Sequence, residues 1–243
     1  MPPATTDSDF LIQQLREQYA EIAQLAGALA HEIKNPLSVI RMNMDLLAED
    51  FADARAQRDR RALAKINVVQ EQCDRLQKML ADFLRFARVQ NLQLTPGDLN
   101  DLTSRVLSFI APQAAEQNVA IVKYLSSDLP GILLDEETLY AALLNLVINA
   151  LQAMEGGGTL TVRTRLTRVG VALDLIDTGC GMSDETAIRM FEPFYTTKDG
   201  GSGLGLSLAQ KIIAAHAGRI DVQSELNRGT QFTLEFPMPK RIT

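Results

Sequence analysis

Two apolar stripes with helical spacing, separated by a short charged stretch, constrain the first part of this chain more than any other feature. Leu25, Leu29, Ile33, Leu37, Ile40, Met44 and Leu47 follow one another in steps of four and three. From about Phe10 to Glu49 the only helix breakers are Gly27 and Pro36. Such spacing lays the apolar side chains along one side of a helix. The successive four-residue steps from Leu25 to Leu37 depart from a strict heptad and predict a local change of supercoil. The charged run Glu49 to Arg61 reads as a turn, and Ile66, Val69, Cys73, Leu76, Leu80 and Phe83 then repeat the pattern. The result is an antiparallel helical hairpin. A lone hairpin leaves its seam in water, whereas a homodimer closing into a four-helix bundle buries it.

Composition narrows the class. A net charge of −6 argues against a general nucleic-acid binder, because phosphate contacts need a basic surface. The hydrophobic share of 46% is ample for a core, and the absence of Trp suits packing on aliphatic side chains. Cys73 and Cys180 lie far apart without metal-ligand spacing and read as reduced thiols of a cytoplasmic protein. No apolar run approaches the ~18 residues of a membrane helix, and the polar N-terminus lacks a signal-peptide core. The chain is therefore expected to be soluble, either whole or as the catalytic piece of a longer receptor.

Beyond Leu92 the pattern changes. Thr95-Pro96-Gly97-Asp98 marks a boundary. A helix is predicted over 99–117, an extended run over 119–125 and a short strand over 132–134. Asp135 can cap a second helix that ends before Gly156-Gly157-Gly158. Residues 159–168 and 171–176 alternate like paired strands. A polar, Gly-containing segment leads to a helix over 204–217, and strands over 219–224 and 230–236 follow. This mixture predicts a two-layer α/β sandwich.

Several polar residues stand out against this frame. At about 100° per residue His31 lies about 200° from Leu29 and Ile33, so it points to solvent, and Asn35 shares its face. Pro36 withholds a hydrogen bond from the Glu32 carbonyl and predicts a kink. An imidazole on such a face can attack phosphorus, and the neighbouring Glu32 can take the hydrogen bond of the other ring nitrogen. Asn145 and Asn149 share one helix face, which Gln152 extends. Asp177 ends an apolar strand, where a carboxylate can accept from an exocyclic amine, and Gly179 and Gly181 let backbone approach closely. Gly201, Gly203 and Gly205 open a helix whose N–H groups can bind phosphate oxygens. Lys198 reads as a phosphate contact or a solvated lysine, Thr230 as a contact on the base side or the start of a strand. His216 reads as a structural helix terminus before Gly218.

In this order, His31-Glu-Ile-Lys-Asn-Pro36, Asn145–Asn149, Asp177-Thr-Gly-Cys-Gly181 and Gly201-Ser-Gly-Leu-Gly205 resemble the sensor histidine kinases of two-component systems. The resemblance spans about Leu25 to Phe236, and it includes a phenylalanine box at Phe191-Glu-Pro-Phe-Tyr-Thr-Thr-Lys198. It implies a HisKA-type dimerisation and phosphotransfer hairpin forming a dimeric four-helix bundle, followed by a GHKL-type ATPase domain with the Bergerat-type ATP-binding fold. The domains would be an N-terminal tail and first helical segment (1–19), the phosphotransfer domain (20–91), a linker (92–98) and the ATP-binding domain (99–239).

By the same resemblance His31 is the phosphoacceptor, Glu32 its base, and Asn35 orients a water that dephosphorylates the partner. Asn149 is an oxygen ligand of Mg²⁺, and Asp177 reads adenine. Asn145, Gly179, Gly181, Lys198, Gly201, Gly203, Leu204, Gly205, Leu206 and Thr230 line the ATP site. The implied partner is the receiver domain of a response regulator, within a homodimer, with neither nucleic acid nor a membrane segment involved. Two alternatives carry weight. A gyrase- or MutL-like ATPase needs a carboxylate one turn before Asn149, where this chain has Asn145. A phosphatase-dominant or non-catalytic dimeric module fits less well with Glu32, Asn149, Asp177 and the glycine loop all in place.

Overall fold

The computed structural model describes residues 33–47, 49, 58–88, 92–198 and 201–238. Contacts divide the chain into two compact units, with the division between Ala87 and Arg88.

In the first unit helix α1 covers 33–47 and helix α2 covers Arg58–Arg88. Lys65 Nζ donates to the Leu46 carbonyl at 2.8 Å and satisfies an acceptor in the last turn of α1. The apolar stripe read from the sequence splits in two. Leu47 is buried, as are Pro36 and Asn43, and Ile33 and Ile40 are half-buried. Leu37, Met44, Ile66 and Leu80 are exposed, Leu37 to 55%. One neighbouring helix covers only part of a wide stripe, and the remainder stays open. Leu25, Leu29, His31, Glu32 and the side chain of Phe83 lie outside the described residues.

The second unit begins with strand β1 (Thr95–Gly97), which pairs antiparallel with β3 (Ile132–Leu134). The segment expected as linker thus supplies a strand, and Pro96 is tolerated there because the two-stranded sheet has only edges. Helix α3 (Leu99–Glu116) starts at Asp98, whose carboxylate accepts from the N–H groups of Asn100 and Asp101. Strand β2 (Val119–Tyr124), helix α4 (Glu136–Ala153), strands β4 (Gly158–Leu166) and β5 (Gly170–Asp177) follow. Helices α5 (Asp184–Arg189) and α6 (Gly205–Ala215) precede β6 (Arg219–Glu225) and β7 (Gly229–Pro237).

The main sheet runs β2-β4-β5-β7-β6, with β2 parallel to β4 and the other pairs antiparallel. Helices α3, α4 and α6 pack on it and on one another. The register sets Leu173 opposite Leu234 and Leu175 opposite Phe232, and these side chains are buried, as are Leu139, Leu143 and Leu146 of α4 and Leu208 and Ile212 of α6. The expected two-layer α/β sandwich is present. Helix α5 arises where the sequence reads as a polar loop: Ser183 caps it and none of its residues is buried, so it carries no apolar period to reveal it.

His216 forms the C-cap of α6 and is buried. Its Nε2 accepts from the Asp135 N–H at 2.9 Å, so Nδ1 carries the proton and donates to the Ile212 carbonyl at 2.7 Å. The ring therefore joins the end of α6 to the start of α4, the structural role its position suggests.

Candidate functional site

Helix α4 is the spine of the site. Its buried positions, Leu139, Ala142, Leu143, Leu146, Val147 and Ala150, face the core. That arrangement leaves Asn145, Asn149 and Gln152 on the opposite stripe, the first two half-buried and the third exposed. Asn145 stands beside the first residue of α6: a Cβ placed on Gly205 would lie 3.9 Å from Asn145 Cγ. One turn further along, Lys198 Nζ donates to Asn149 Oδ1 at 3.0 Å and to Gln152 Oε1 at 2.8 Å. At the end of the helix the Ala153 carbonyl accepts from the Cys180 N–H at 3.0 Å and so holds the Asp177–Gly181 loop.

Asp177 is buried at the end of β5. Its Oδ1 accepts from the N–H groups of Gly179 at 2.9 Å and Thr230 at 3.2 Å. Among the described residues no hydrogen bond is made to Oδ2. Burial pushes this carboxyl above the ordinary aspartate range, and the two N–H groups and Lys198 offset only part of that. Thr230 packs its hydroxyl against Ser224 Oγ at 2.9 Å, next to the Met182 N–H that Ser224 accepts. Thr230, the second residue of β7, therefore flanks Asp177. A cleft of about 330 Å³ is lined by Asp177, Thr230, Ser224, Gln223, Arg228 and Gln231 among others; the asparagines of α4 take no part in it.

The glycines fall into two groups. Gly181, at φ +62°, carries no side chain because a Cβ would overlap the Glu225 carbonyl, and a Cβ on Gly179 would lie 2.6 Å from the Ala153 oxygen. At both positions the space a side chain would need is taken by the protein's own backbone. Gly203, at φ +65°, faces the backbone of Phe194, whose N–H donates to the Gly203 carbonyl at 3.0 Å. Phe194 is itself at φ +66°, so the phenylalanine box and the glycine loop fix each other. Gly201 lies beside Thr196 Oγ1. Leu204 is buried and anchors the start of α6, which has no side-chain cap and no acidic residue in its first turn. Among the described residues no side chain caps the first N–H groups of α6, those of Gly205 and Leu206 included, which leaves them available to an anion.

Lys198 is exposed as a whole, yet partial desolvation of its ammonium draws it below the ordinary lysine range, against the opposing pull of Cys180, Asp177 and Glu155. An ammonium seated on two carboxamide oxygens shows that this donor set accepts a cation. Neutral oxygen donors of this kind suit a hard divalent ion that keeps its waters and phosphate oxygens.

The structure thus brings Asn145, Asn149, Lys198, Gly205 and Leu206 together around α4, with Asp177, Gly179, Gly181 and Thr230 at its far end. Asn35 is exposed on α1 in the first unit. His31 and Glu32 are outside the described residues. The role of Gln152 as a second oxygen beside Asn149 was the main omission; its only sequence signal is its place three residues on, along the same face.

Residues 21–92 match the family described as the His Kinase A (phospho-acceptor) domain, and residues 134–240 match the histidine kinase-, DNA gyrase B-, and HSP90-like ATPase. The signal transduction histidine-protein kinase AtoS of Escherichia coli (strain K12) is 33% identical over 91% of this chain and 36% of its own length. The catalytic domain of histidine kinase ThkA, in a nucleotide-free form, is 30% identical with a TM-score of 0.55, covering 60% of this chain and 96% of that one. Full-length ShkA in complex with AMPPNP is 32% identical with a TM-score of 0.61, over 88% of this chain and 45% of that one. The chain belongs to the sensor histidine kinases. It spans about a third to a half of the length of the curated relatives it matches. Among the described residues no helix is long and apolar enough to cross a membrane.

Proposed function

We propose that this chain is an ATP-dependent protein-histidine kinase that phosphorylates His31 and passes the phosphoryl group to an aspartate of a response-regulator receiver domain. The observation that carries the reading is the alignment on α4: Asn145 at the uncapped N-terminus of α6, Asn149 offering its oxygen to a cation, and Asp177 with one oxygen free. Adenine donates its exocyclic amine to Asp177. The N–H groups at Gly205 and Leu206 receive phosphate oxygens, and Lys198 adds positive charge. Asn149 would hold Mg²⁺, which supplies charge neutralisation on the phosphates.

In the first step the bond between the γ-phosphorus and the ADP oxygen breaks and a bond from phosphorus to an imidazole nitrogen of His31 forms. Glu32 accepts the hydrogen bond from the other ring nitrogen and stabilises the developing imidazolium. In the second step the phosphorus–nitrogen bond breaks as a receiver carboxylate takes the phosphoryl group. The exposed Leu37, Met44, Ile66 and Leu80 favour a homodimer that covers them within a four-helix bundle. The exposed Asn35 supports an added phosphatase role, in which its amide holds the attacking water. A phosphotransfer domain over 20–91, an ATP-binding domain that includes β1 and runs to 239, and a cytoplasmic location belong to the same reading.

The test is labelled ATP with Mg²⁺. The parent should gain an acid-labile, base-stable phosphoryl group, and His31→Ala should lose it while still binding nucleotide. Undiminished label in that variant removes His31 from the mechanism.

A further inference from the structure

Lys198 and Gln152 suggest how this site is kept before nucleotide arrives. Among the described residues the Lys198 ammonium makes no ion pair with a carboxylate. It sits on two neutral oxygens of one helix face, Asn149 Oδ1 at 3.0 Å and Gln152 Oε1 at 2.8 Å, reached across 49 and 46 residues of chain. Asn149 Oδ1 is the oxygen that the reading above assigns to Mg²⁺, and the present inference rests on that reading. A divalent ion sits at roughly 2.0–2.1 Å from such an oxygen. An ammonium held at 3.0 Å from the same oxygen would then lie no more than about 5 Å from it, where like charges repel in a partly dry site. The two cations exclude each other on Asn149.

We propose that Gln152 is a positioning residue that parks Lys198 on the metal oxygen of Asn149, so that binding of Mg²⁺–ATP is an exchange of one cation for another. Without metal, the ammonium satisfies two carboxamide oxygens. When Mg²⁺–ATP enters, Lys198 leaves Asn149 and its charge becomes available to the phosphates. Gln152 sets how firmly the lysine is held. It therefore opposes metal binding while contributing no ligand of its own. Asn149 plays both parts, so replacing it cannot separate them; Gln152 can.

The experiment uses the full chain, with Gln152→Leu to remove the acceptor and Gln152→Glu to keep one. Brief acetylation of nucleotide-free protein, followed by mass spectrometry of the Lys198 peptide, reads how firmly the amine is held. Gln152→Leu should raise acetylation about three- to tenfold, the scale of one hydrogen bond to a charged group discounted for exposure, and Gln152→Glu should not. Calorimetry should show Mg²⁺–ATP bound about three- to tenfold tighter by Gln152→Leu, and the gain should vanish when EDTA replaces Mg²⁺. Unchanged acetylation in Gln152→Leu overturns the latch. Equal or weaker Mg²⁺–ATP binding by that variant overturns the exchange. Failure of the parent to bind Mg²⁺–ATP at all overturns the nucleotide reading and the exchange with it, while the acetylation ratios, taken without nucleotide, still decide whether the latch exists.

Discussion

Asp174 and Asp177 lie on the same strand, three residues apart and hence on opposite faces of the sheet. Both are buried, and their environments drive them in opposite directions. Asp174 is enclosed by donors: Arg163 Nε at 2.9 Å and Arg165 Nε at 3.0 Å reach Oδ2, and Thr233 Oγ1 at 2.9 Å reaches Oδ1. Burial would raise this carboxyl, but its bonds with Arg165, Arg163 and Thr233 prevail and hold it below the ordinary aspartate range. Asp177 has two backbone N–H groups on one oxygen, and burial prevails. A carboxylate whose acceptor capacity the protein fills belongs to the fold. One buried with an oxygen left over is costly to the fold and ready for a ligand.

The largest expected effect breaks this contrast at the ligand end. Asp177→Asn keeps an oxygen for Gly179 and Thr230 but turns the other position from acceptor to donor. Mg²⁺–ATP affinity should fall by about 10- to 100-fold, the scale of one hydrogen bond to a charged acceptor. Stability at neutral pH should not fall, and should rise if the uncompensated charge dominates. The sign follows from linkage. The raised carboxyl contributes stability that is complete below its ordinary value of 3.8 and is lost as pH rises through its folded value. The variant should thus gain on the parent at pH 7 relative to pH 3. Calorimetry and urea unfolding at the two pH values check both halves; parental affinity would sink the assignment.

Asp174→Asn should do the reverse. Losing the charge leaves Arg163 and Arg165 with a weaker partner. Because both guanidinium groups are nearly half exposed, the loss is discounted to about 1–2 kcal/mol. Nucleotide affinity should stay within about twofold, since the change lies on the other face. Here the depressed carboxyl gives stability that is present above 3.8 and lost as pH falls through its folded value. The variant's deficit should be visible at pH 7 and shrink in acid. A deficit that persists unchanged at low pH would show packing, not charge, to be its cause.

The inner face of this contrast was legible in the sequence and the outer face was not. Asp177 announces itself by ending an apolar strand before two glycines, and Asn145 and Asn149 by their four-residue spacing; these are local patterns that the chain itself displays. The strands at 158–166, 170–177, 219–225 and 229–237 likewise begin and end within a residue or two of the alternation that predicts them. Asp174 offers no such signal. Its importance comes from a register that sets it opposite Arg163, on the preceding strand, and Thr233, far along the chain. The pairing of Lys198 with Gln152 is hidden for the same reason. The apolar seam of the hairpin was legible as a stripe, but which members the hairpin buries, Leu47 and not Leu37, depends on where α2 crosses it.

The smallest expected effect calibrates the other two, because it touches neither face. Ala217 follows the C-cap of α6 at φ +55°, a left-handed position that terminates the helix. Its N–H donates to the Ala214 carbonyl at 2.9 Å, and the next residue, Gly218, donates to the Ile213 carbonyl at 2.9 Å. The geometry therefore closes the helix whatever occupies the position, and only the Cβ is out of place, at a cost of about 1 kcal/mol or more. Gly218 cannot exchange roles with it, because a Cβ there would lie 2.8 Å from the Glu235 carbonyl. Ala217→Gly removes the strain and adds back some freedom to the unfolded chain, for a net gain of about 0.5–1 kcal/mol in urea unfolding. The methyl is exposed, so no packing is lost with it. The gain should be the same at pH 7 and pH 3, and Mg²⁺–ATP affinity should not move. A gain that varied with pH would mean that a titrating group beside the helix end, first of all Asp135 across its hydrogen bond to His216, senses this position, and the substitution would no longer serve as a pH-independent reference for the two aspartates.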